Sequence, residues 1–284
     1  MKKALEFRLH SFHEAPLVVF SAAALSGAGV AIAWPLASVM GFCPSPPDPG
    51  AATLILILLG GGILASMMHL GRPARAALAL RRAGRSPLST EVVFAGLTAS
   101  AALSLRVLPL GASSVRALWF LAGAAGAGFL ISLIRVYWLP GQPTWRGIPG
   151  LSPIPLSLLF GFTTHFLAAG LPPAAAIPGL AILLFADTAV WVIRCVRVEQ
   201  GRKTGMAAQP FVMARRGWVM SVRFALTTLL YPAALLYCGG AWGLAVLGAG
   251  ILADRFAFYA LAVRHGSEAE VARIEAILVS ISHS

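Results

Sequence analysis

Eight long apolar runs constrain this chain more than any other feature. They lie at roughly 15–40, 51–70, 90–108, 116–138, 153–170, 174–195, 219–237 and 241–263. About 20 apolar residues cross a bilayer as a helix, so eight spans account for roughly 160 residues. Of the 284 residues, 58% are hydrophobic and 11% are charged, where an ordinary soluble protein carries about 25% charged residues. That balance excludes a disordered chain, a disulfide-stapled secreted scaffold and an ordinary cytosolic enzyme. The expected fold is an all-α integral membrane protein, an eight-transmembrane-helix bundle with a short C-terminal amphipathic helix. Residues 1–264 make the bundle and 265–284 an interfacial tail. In the tail, Ser267 and Glu270 have capping-box spacing, and Val271, Ile274, Ile277 and Ile281 recur at helical spacing.

Proline and glycine mark most joints: Pro44, Pro46, Pro47 and Pro49, then Pro140 and Pro143, Pro172 and Pro173, and Gly239-Gly240. Small residues also recur inside spans, as in Gly60-Gly61-Gly62 and from Gly123 to Gly128, where they let helices approach closely. The run from Ala15 to Met40 is longer than the 7–15 apolar residues of a typical signal peptide, so it reads as the first span. Pro16 suits the first turn of its helix.

The formal net charge is +12. On a soluble protein this would suggest nucleic acid, but the basic residues fall between apolar runs, and no nucleic-acid partner is expected. Eight spans place both termini on one side. That side collects Lys2, Lys3, Arg8, Arg72, Arg75, Arg81, Arg82, Arg85, Arg135, Arg146, Arg194, Arg197, Arg202, Lys203, Arg215, Arg216, Arg264 and Arg273. The opposite side has only Arg106 and Arg116. The positive-inside rule puts the basic side and both termini in the cytoplasm of a bacterial inner-membrane protein. Docking of a partner subunit on Arg75, Arg81, Arg82 and Arg85 is a competing cause of the same bias.

Cys43, Cys195 and Cys238 form no CxxC, so no metal or iron–sulfur site is expected in this chain. Chemistry must come from the few ionisable groups in or near spans, each of which costs at least about 2.5–3.5 kcal/mol to bury there. His13, Glu14, His69, Arg72, Glu91, Arg135 and Tyr137 lie at the ends of four spans on the basic side. One interfacial pocket drawn from them would have apolar walls and a few polar groups. That suits a quinone or quinol: the ring and tail need apolar walls, the carbonyls need donors, and turnover needs a proton relay. His69 is the first candidate for hydrogen bonding to the ring, and Glu91 for the relay. Plainer readings exist: a cap at Ser89 or Thr90 with Glu91 complementing the helix dipole, an interfacial anchor of Arg135, Tyr137 and Trp145, and a helix stop at Gly71 and Pro73. Asp254 and Arg255 are adjacent and point to different helix faces, so each is expected to need another partner.

The motifs His13-Glu14-x-Pro16-Leu17, His69-Leu70-Gly71-x-Pro73-x-Arg75-Ala76, Leu88-Ser89-x-Glu91, Arg135-Val136-Tyr137, Pro143-Thr144-Trp145 and Arg255-x-x-Phe258-Tyr259 follow one another across the eight spans. In that order the chain resembles the DmsC family, the membrane anchors of dimethyl-sulfoxide-reductase-type molybdoenzymes. The resemblance implies a quinone-reactive anchor (for menaquinone or ubiquinone) that exchanges electrons with an iron–sulfur subunit wired to a molybdopterin catalytic subunit. The iron–sulfur and molybdopterin cofactors would sit in those partners. The motif histidine falls on His69, and the carboxylate after Leu-Ser on Glu91.

The basic side carries these motifs. Facing the cytoplasm, it would resemble sulfite:quinone oxidoreductase complexes that use related anchors; the alternative is an S-oxide reductase anchor that oxidises menaquinol. Two further readings stand beside these. A haem b would need His69 and His165, the two intramembrane histidines. A proton-coupled transporter would use His165 and Asp187, which equally suit a static buried polar pair. A transporter should also show an inverted repeat, and none is evident.

Overall fold

The computed structural model describes residues 2–42, 46, 49–69, 84–138, 147–170, 173–203 and 216–260. Among them every regular element is helical. The helices are α1 (Lys2–Val39), α2 (Pro49–His69), α3 (Pro87–Val107), α4 (Ala112–Tyr137), α5 (Pro153–Ala168), α6 (Pro173–Lys203), α7 (Arg216–Cys238) and α8 (Gly240–Ala260). A short 3-10 turn, Ile148–Leu151, leads into α5. All eight, α5 together with the turn before it, make a stretch long and apolar enough to cross a bilayer, at 15–39, 49–67, 87–107, 112–137, 148–168, 177–200, 216–238 and 240–260. The expected tail and the Pro143-Thr144-Trp145 segment lie outside the described residues.

Helix α1 is the hub and packs against α2, α4, α5 and α8. Ala24, Leu25, Ala28, Ala31, Ala33, Trp34 and Ala37 are buried along it. With no apolar driving force between helices in lipid, close packing of small side chains must hold the bundle. Gly29 shows how close that packing is: a Cβ there would overlap the Ser157 carbonyl of α5, and one on Gly161 would overlap the Gly29 carbonyl. Opposite this seam, Gly123 and Gly126 of α4 admit Pro35 and the Ala28 carbonyl of α1. The rings of Trp34 and Trp119 fill the space beyond, 6.2 Å apart.

Pro16 is not in a first turn. The helix begins at Lys2 and runs through both Pro16 and Pro35. A proline inside a helix frees the carbonyl four residues earlier; at Pro16 that carbonyl falls outside the apolar span, where water can satisfy it. Likewise α3 starts at Pro87 after Ser86, so Ser89 and Thr90 lie inside the helix rather than capping it. The Thr90 hydroxyl instead donates to the Ser86 carbonyl at 3.0 Å and accepts from the Gly84 amide at 3.3 Å.

Helix α7 widens into π turns over Ala225–Leu230 and Ala234–Cys238, on either side of Pro232. Such turns accommodate groups that lose their usual i−4 partner, and they collect at functional sites. Gly239, at φ 93°, makes the tight reversal into α8.

The helices alternate in direction, and close approaches fix the register. Gly62 of α2 meets Phe20 of α1, and Leu59 meets Gly27. Stepping one helix up as the other goes down puts the His69 backbone level with about residues 13–17 of α1. At the other end, Phe162 and Phe166 of α5 share an apolar pocket with Leu36 and Met40 of α1.

Candidate functional site

The end of the bundle that carries the start of α1 gathers the polar groups. Glu91 enters it from the second turn of α3, Tyr137 from the last residue of α4, and Tyr259 from the end of α8. Glu91 is 3% exposed, and among the described residues its Oε1 has no hydrogen-bond partner. An orphaned buried carboxyl oxygen is costly and calls for an explanation. The hydroxyls of Tyr137 and Tyr259 share a short hydrogen bond. Their rings meet edge-on, 5.8 Å apart, and each packs edge-on against Phe258 at 5.0 and 5.3 Å. Glu91 and Arg255 both lie within electrostatic range of the two hydroxyls, and Ser21 of α1 is hydrogen-bonded to Tyr259.

Of the residues expected in one pocket, the structure therefore brings Glu91 and Tyr137 to the same end. His13, Glu14 and His69 lie on described helical backbone whose register puts them at that end, while the positions of their side chains are not described. Arg135 is exposed: two residues from Tyr137 on a helix, it faces outward, away from the cluster. Arg85 is exposed before α3. Arg72, Arg75, Arg81 and Arg82 lie outside the described residues.

Beside the tyrosines is a second constellation that the linear reading missed. Arg194 of α6, Arg223 of α7 and Asp254-Arg255 of α8 are buried together with Asp187 of α6, all at 0–2% exposure. Asp254 is the centre. Its Oδ1 accepts from Arg194 Nη1 at 3.1 Å and Arg223 Nε at 3.2 Å, and its Oδ2 accepts from Arg255 Nε at 3.1 Å and from Arg255 Nη2. Asp187 Oδ1 accepts from Arg223 Nη2 at 2.5 Å. Ser152, ahead of α5, accepts from Arg194 at 2.5 Å and Arg255 at 2.9 Å, and the Pro149 carbonyl accepts from Arg194 at 2.8 Å. The Trp191 ring lies 4.5 Å from the Arg223 guanidinium and 5.5 Å from that of Arg194. Phe258 lies 4.7 Å from Arg255 and 5.2 Å from Arg194, joining this cluster to the tyrosine pair.

Charges this deep exist only when paired. Measured from the span ends, Arg194 and Asp254 lie about 9 Å inside the apolar zone and Asp187 about 20 Å. Two expectations change as a result. Asp187 does not pair with His165: its partner is Arg223, because an arginine from the neighbouring span supplies the opposite charge that a neutral histidine cannot. And although Asp254 does take distant partners, Arg255 also folds back onto it, since its long side chain bridges the angle between adjacent helix positions.

His165 sits near the opposite end, buried beside Phe166 with ring centres 6.0 Å apart, and its Nε2 has no partner among the described residues. His69 and His165 thus stand some 20 helical residues apart along the bundle, roughly 30 Å. No single haem iron reaches both, which removes the bis-histidine haem. The apolar pocket at His165's end is lined by residues such as Phe42, Phe162, Phe166 and Leu180, none of them ionisable. Among the described residues no group of His, Cys, Asp and Glu is placed to hold a metal ion.

No solved structure matches the chain. Relatives exist at the sequence level. The C subunit of the anaerobic dimethyl sulfoxide reductase of Escherichia coli (strain K12) is 30% identical over 145 residues, 48% of this chain and 50% of that protein. The YnfH subunit of an anaerobic dimethyl sulfoxide reductase of the same organism is 31% identical over 147 residues, 48% of this chain and 50% of that protein. The C subunit of the anaerobic dimethyl sulfoxide reductase of Haemophilus influenzae (strain ATCC 51907 / DSM 11121 / KW20 / Rd) is 34% identical over 100 residues, 33% of this chain and 35% of that protein. The chain spans about half the length of the E. coli relatives it matches, and less of the other. The family model described as DMSO reductase anchor subunit (DmsC) matches residues 9–206. With its eight membrane-spanning helices and a match over most of its length, this chain belongs to the DmsC family.

Proposed function

We propose that this chain is the membrane anchor and quinone-reactive subunit of a heterotrimeric molybdoenzyme. It passes electrons between membrane quinone and an iron–sulfur subunit, which is wired to a molybdopterin catalytic subunit. The observation that carries the reading is Glu91: a buried carboxyl with an orphaned oxygen, one turn inside the membrane, at the end that gathers Tyr137 and the backbone of His69. A structural acid so placed would be paired, as Asp254 is; one that exchanges protons with a ligand must keep an oxygen free. A bound quinol supplies two electrons and two protons.

The roles of the chain's own residues follow from their places. His69 hydrogen-bonds one end of the ring, with His13, Glu14 and Arg72 at the rim of the same pocket, while Arg135, facing outward, is left to the membrane interface. Glu91 takes up or delivers the proton at its Oε1. Tyr137 lies between Glu91 and the exterior. Arg75, Arg81, Arg82 and Arg85 offer the docking surface for the iron–sulfur subunit.

The charge bias supports both termini, and hence this site, on the cytoplasmic side of a bacterial inner membrane. That orientation favours a sulfite:quinone oxidoreductase, with electrons entering quinone. The names of the E. coli and H. influenzae relatives favour the second reading, an anchor that oxidises menaquinol for an S-oxide reductase. The transporter reading has less to stand on, since Asp187 is committed to Arg223.

The test is Glu91→Gln in membranes that retain the complex. We expect quinone-linked electron transfer to fall by about 100-fold, the scale of a lost acid–base group, with subunit assembly intact. Assembly with unchanged turnover would leave an inert anchor.

A further inference from the structure

The far half of the bundle, away from the ionic cluster, holds an apolar groove that has no part in the Glu91 site. Helices α1 and α6 both pack on α5, without an extensive contact between them. Helix α5 therefore makes a floor between two walls. Leu158, Phe162 and Phe166 line the floor at helical spacing, and the rings of Phe162 and Phe166 stack 6.1 Å apart. Leu36 and Met40 line the α1 wall, and Gly179, Leu180 and Leu183 the α6 wall. No polar side chain lines the groove, whose volume is about 260 Å³. Met40 and Ile182, 56% and 70% exposed, leave it open to lipid.

The groove is one leaflet deep. From Phe166, near the end of its span, the floor runs about 12 Å to Leu158, which lies about 15 Å inside the membrane. The hydrocarbon core is about 30 Å thick, so the floor runs from one surface to the midplane. An apolar cavity of about 150 Å³ takes one benzene, so 260 Å³ takes about ten carbons. Ten carbons in one extended chain are about 11 Å long, close to the length of the floor. A helix, about 10–12 Å across, is too broad for the groove. A quinone ring would bury two carbonyls with no side-chain donor to meet them. Left empty, the groove would forfeit dispersion contacts along its whole lining.

We propose that this groove holds one acyl chain of a membrane phospholipid, drawn from the leaflet opposite the basic side. The chain enters beside Met40 and Phe166 and ends beside Leu158, with its headgroup at the surface. No charged side chain lines the groove, so the chain rather than the headgroup is recognised. A polyprenyl tail, with a methyl branch on every fourth carbon, is broader than the single unbranched chain that fits. The seated chain bridges α1 and α6, which otherwise meet only through α5. This assignment does not depend on the quinone reading of the Glu91 site.

The experiment places the full complex in vesicles of phosphatidylethanolamine and phosphatidylglycerol that carry a small fraction of phosphatidylethanolamine with a mid-chain diazirine. After illumination, the labelled positions are mapped by mass spectrometry of peptides. Leu158 and Phe162 are expected to take more label than Phe185, which is 77% exposed on α6 and meets bulk lipid at a similar depth. A Cβ on Gly179 meets nothing within 4 Å, so Gly179→Phe adds a ring at the groove wall without a clash. That variant should lose the label on Leu158 and Phe162 and keep it on Phe185. If it fails to accumulate, Ile182→Trp narrows the same wall and is read in the same way. Equal labelling of the floor and Phe185, or floor labelling that survives the wall variant, would overturn the proposal. Loss of floor label alone on adding a long-tailed menaquinone would give the groove to a prenyl tail and overturn it as well.

Discussion

Asp254→Asn should be far more damaging than Asp187→Asn, though both remove one buried carboxylate from the same cluster. Three arginines and two aspartates leave the wild-type cluster with one excess positive charge; either variant leaves two. The difference lies in the hydrogen bonds. Asp254 accepts from three guanidiniums, two on Oδ1 and the third on Oδ2. Whichever way an asparagine turns, its amide points N–H at a guanidinium, donor against donor. Breaking a buried pair in this way costs about 3–5 kcal/mol, and the loss on both sides argues for the upper end. At Asp187 only Arg223 donates, and Oδ2 has no partner among the described residues. Asparagine can keep its carbonyl toward Arg223 and place its amide on the empty side. That costs about 1.5–3 kcal/mol, the worth of one charged hydrogen bond. In a protein this large each kcal/mol moves the melting temperature by about 2–4 °C. Asp254→Asn should therefore melt about 10 °C or more below wild type and Asp187→Asn about half as far, by loss of the monodisperse peak after heating in mild detergent at a fixed rate. Adding Arg255→Met to Asp254→Asn restores the charge balance and should recover part of the loss. Equal shifts, or a larger one for Asp187→Asn, would refute the assignment of Asp254 as the centre.

Other sites give sharper contrasts. Gly29→Ala should abolish accumulation of folded protein or lower its melting temperature by several degrees, because its Cβ meets a backbone carbonyl that cannot move aside; Gly60→Ala, with open space around it, should match wild type in the same heating assay. Tyr231→Phe removes the 2.6 Å hydrogen bond to Thr163 and should cost only about 0.6 kcal/mol, the average for hydrogen bonds between membrane helices, as read by unfolding in mixed detergent micelles.

Much of the architecture was legible because lipid demands it. A span must be long and apolar, so all eight could be drawn to within a few residues. Alternation then assigns each span end to a side, which is why Glu91 and Tyr137 could be placed together from the sequence alone. What apolar spans conceal is which way each helix faces. In a soluble helix a polar stripe marks the exposed side; here Asp187 sits in an almost uniformly apolar run, and nothing along α6 says that it looks toward α7. The missed signal was one of depth. Arg194, Arg223, Asp254 and Arg255 all lie about 9 Å inside the same end, and charges at one level in three successive spans must neutralise one another. The orphaned oxygen of Glu91 could not be read from Leu-Ser-x-Glu at all, because it depends on what its neighbours fail to offer.

The ionic cluster also bears on how the protein is made. Helix α6 leaves the ribosome carrying Asp187 and Arg194, while Arg223 comes with α7, and Asp254 and Arg255 come only with α8. Until the last span arrives, Arg194 has no carboxylate to meet, and α6 enters the bilayer on its apolar flanks alone. The final helix is thus the one that locks its two predecessors. A chain halted before α8 leaves Arg223 with Asp187 but Arg194 stranded inside the membrane, so the unfinished bundle differs from the complete one by an unpaired buried charge.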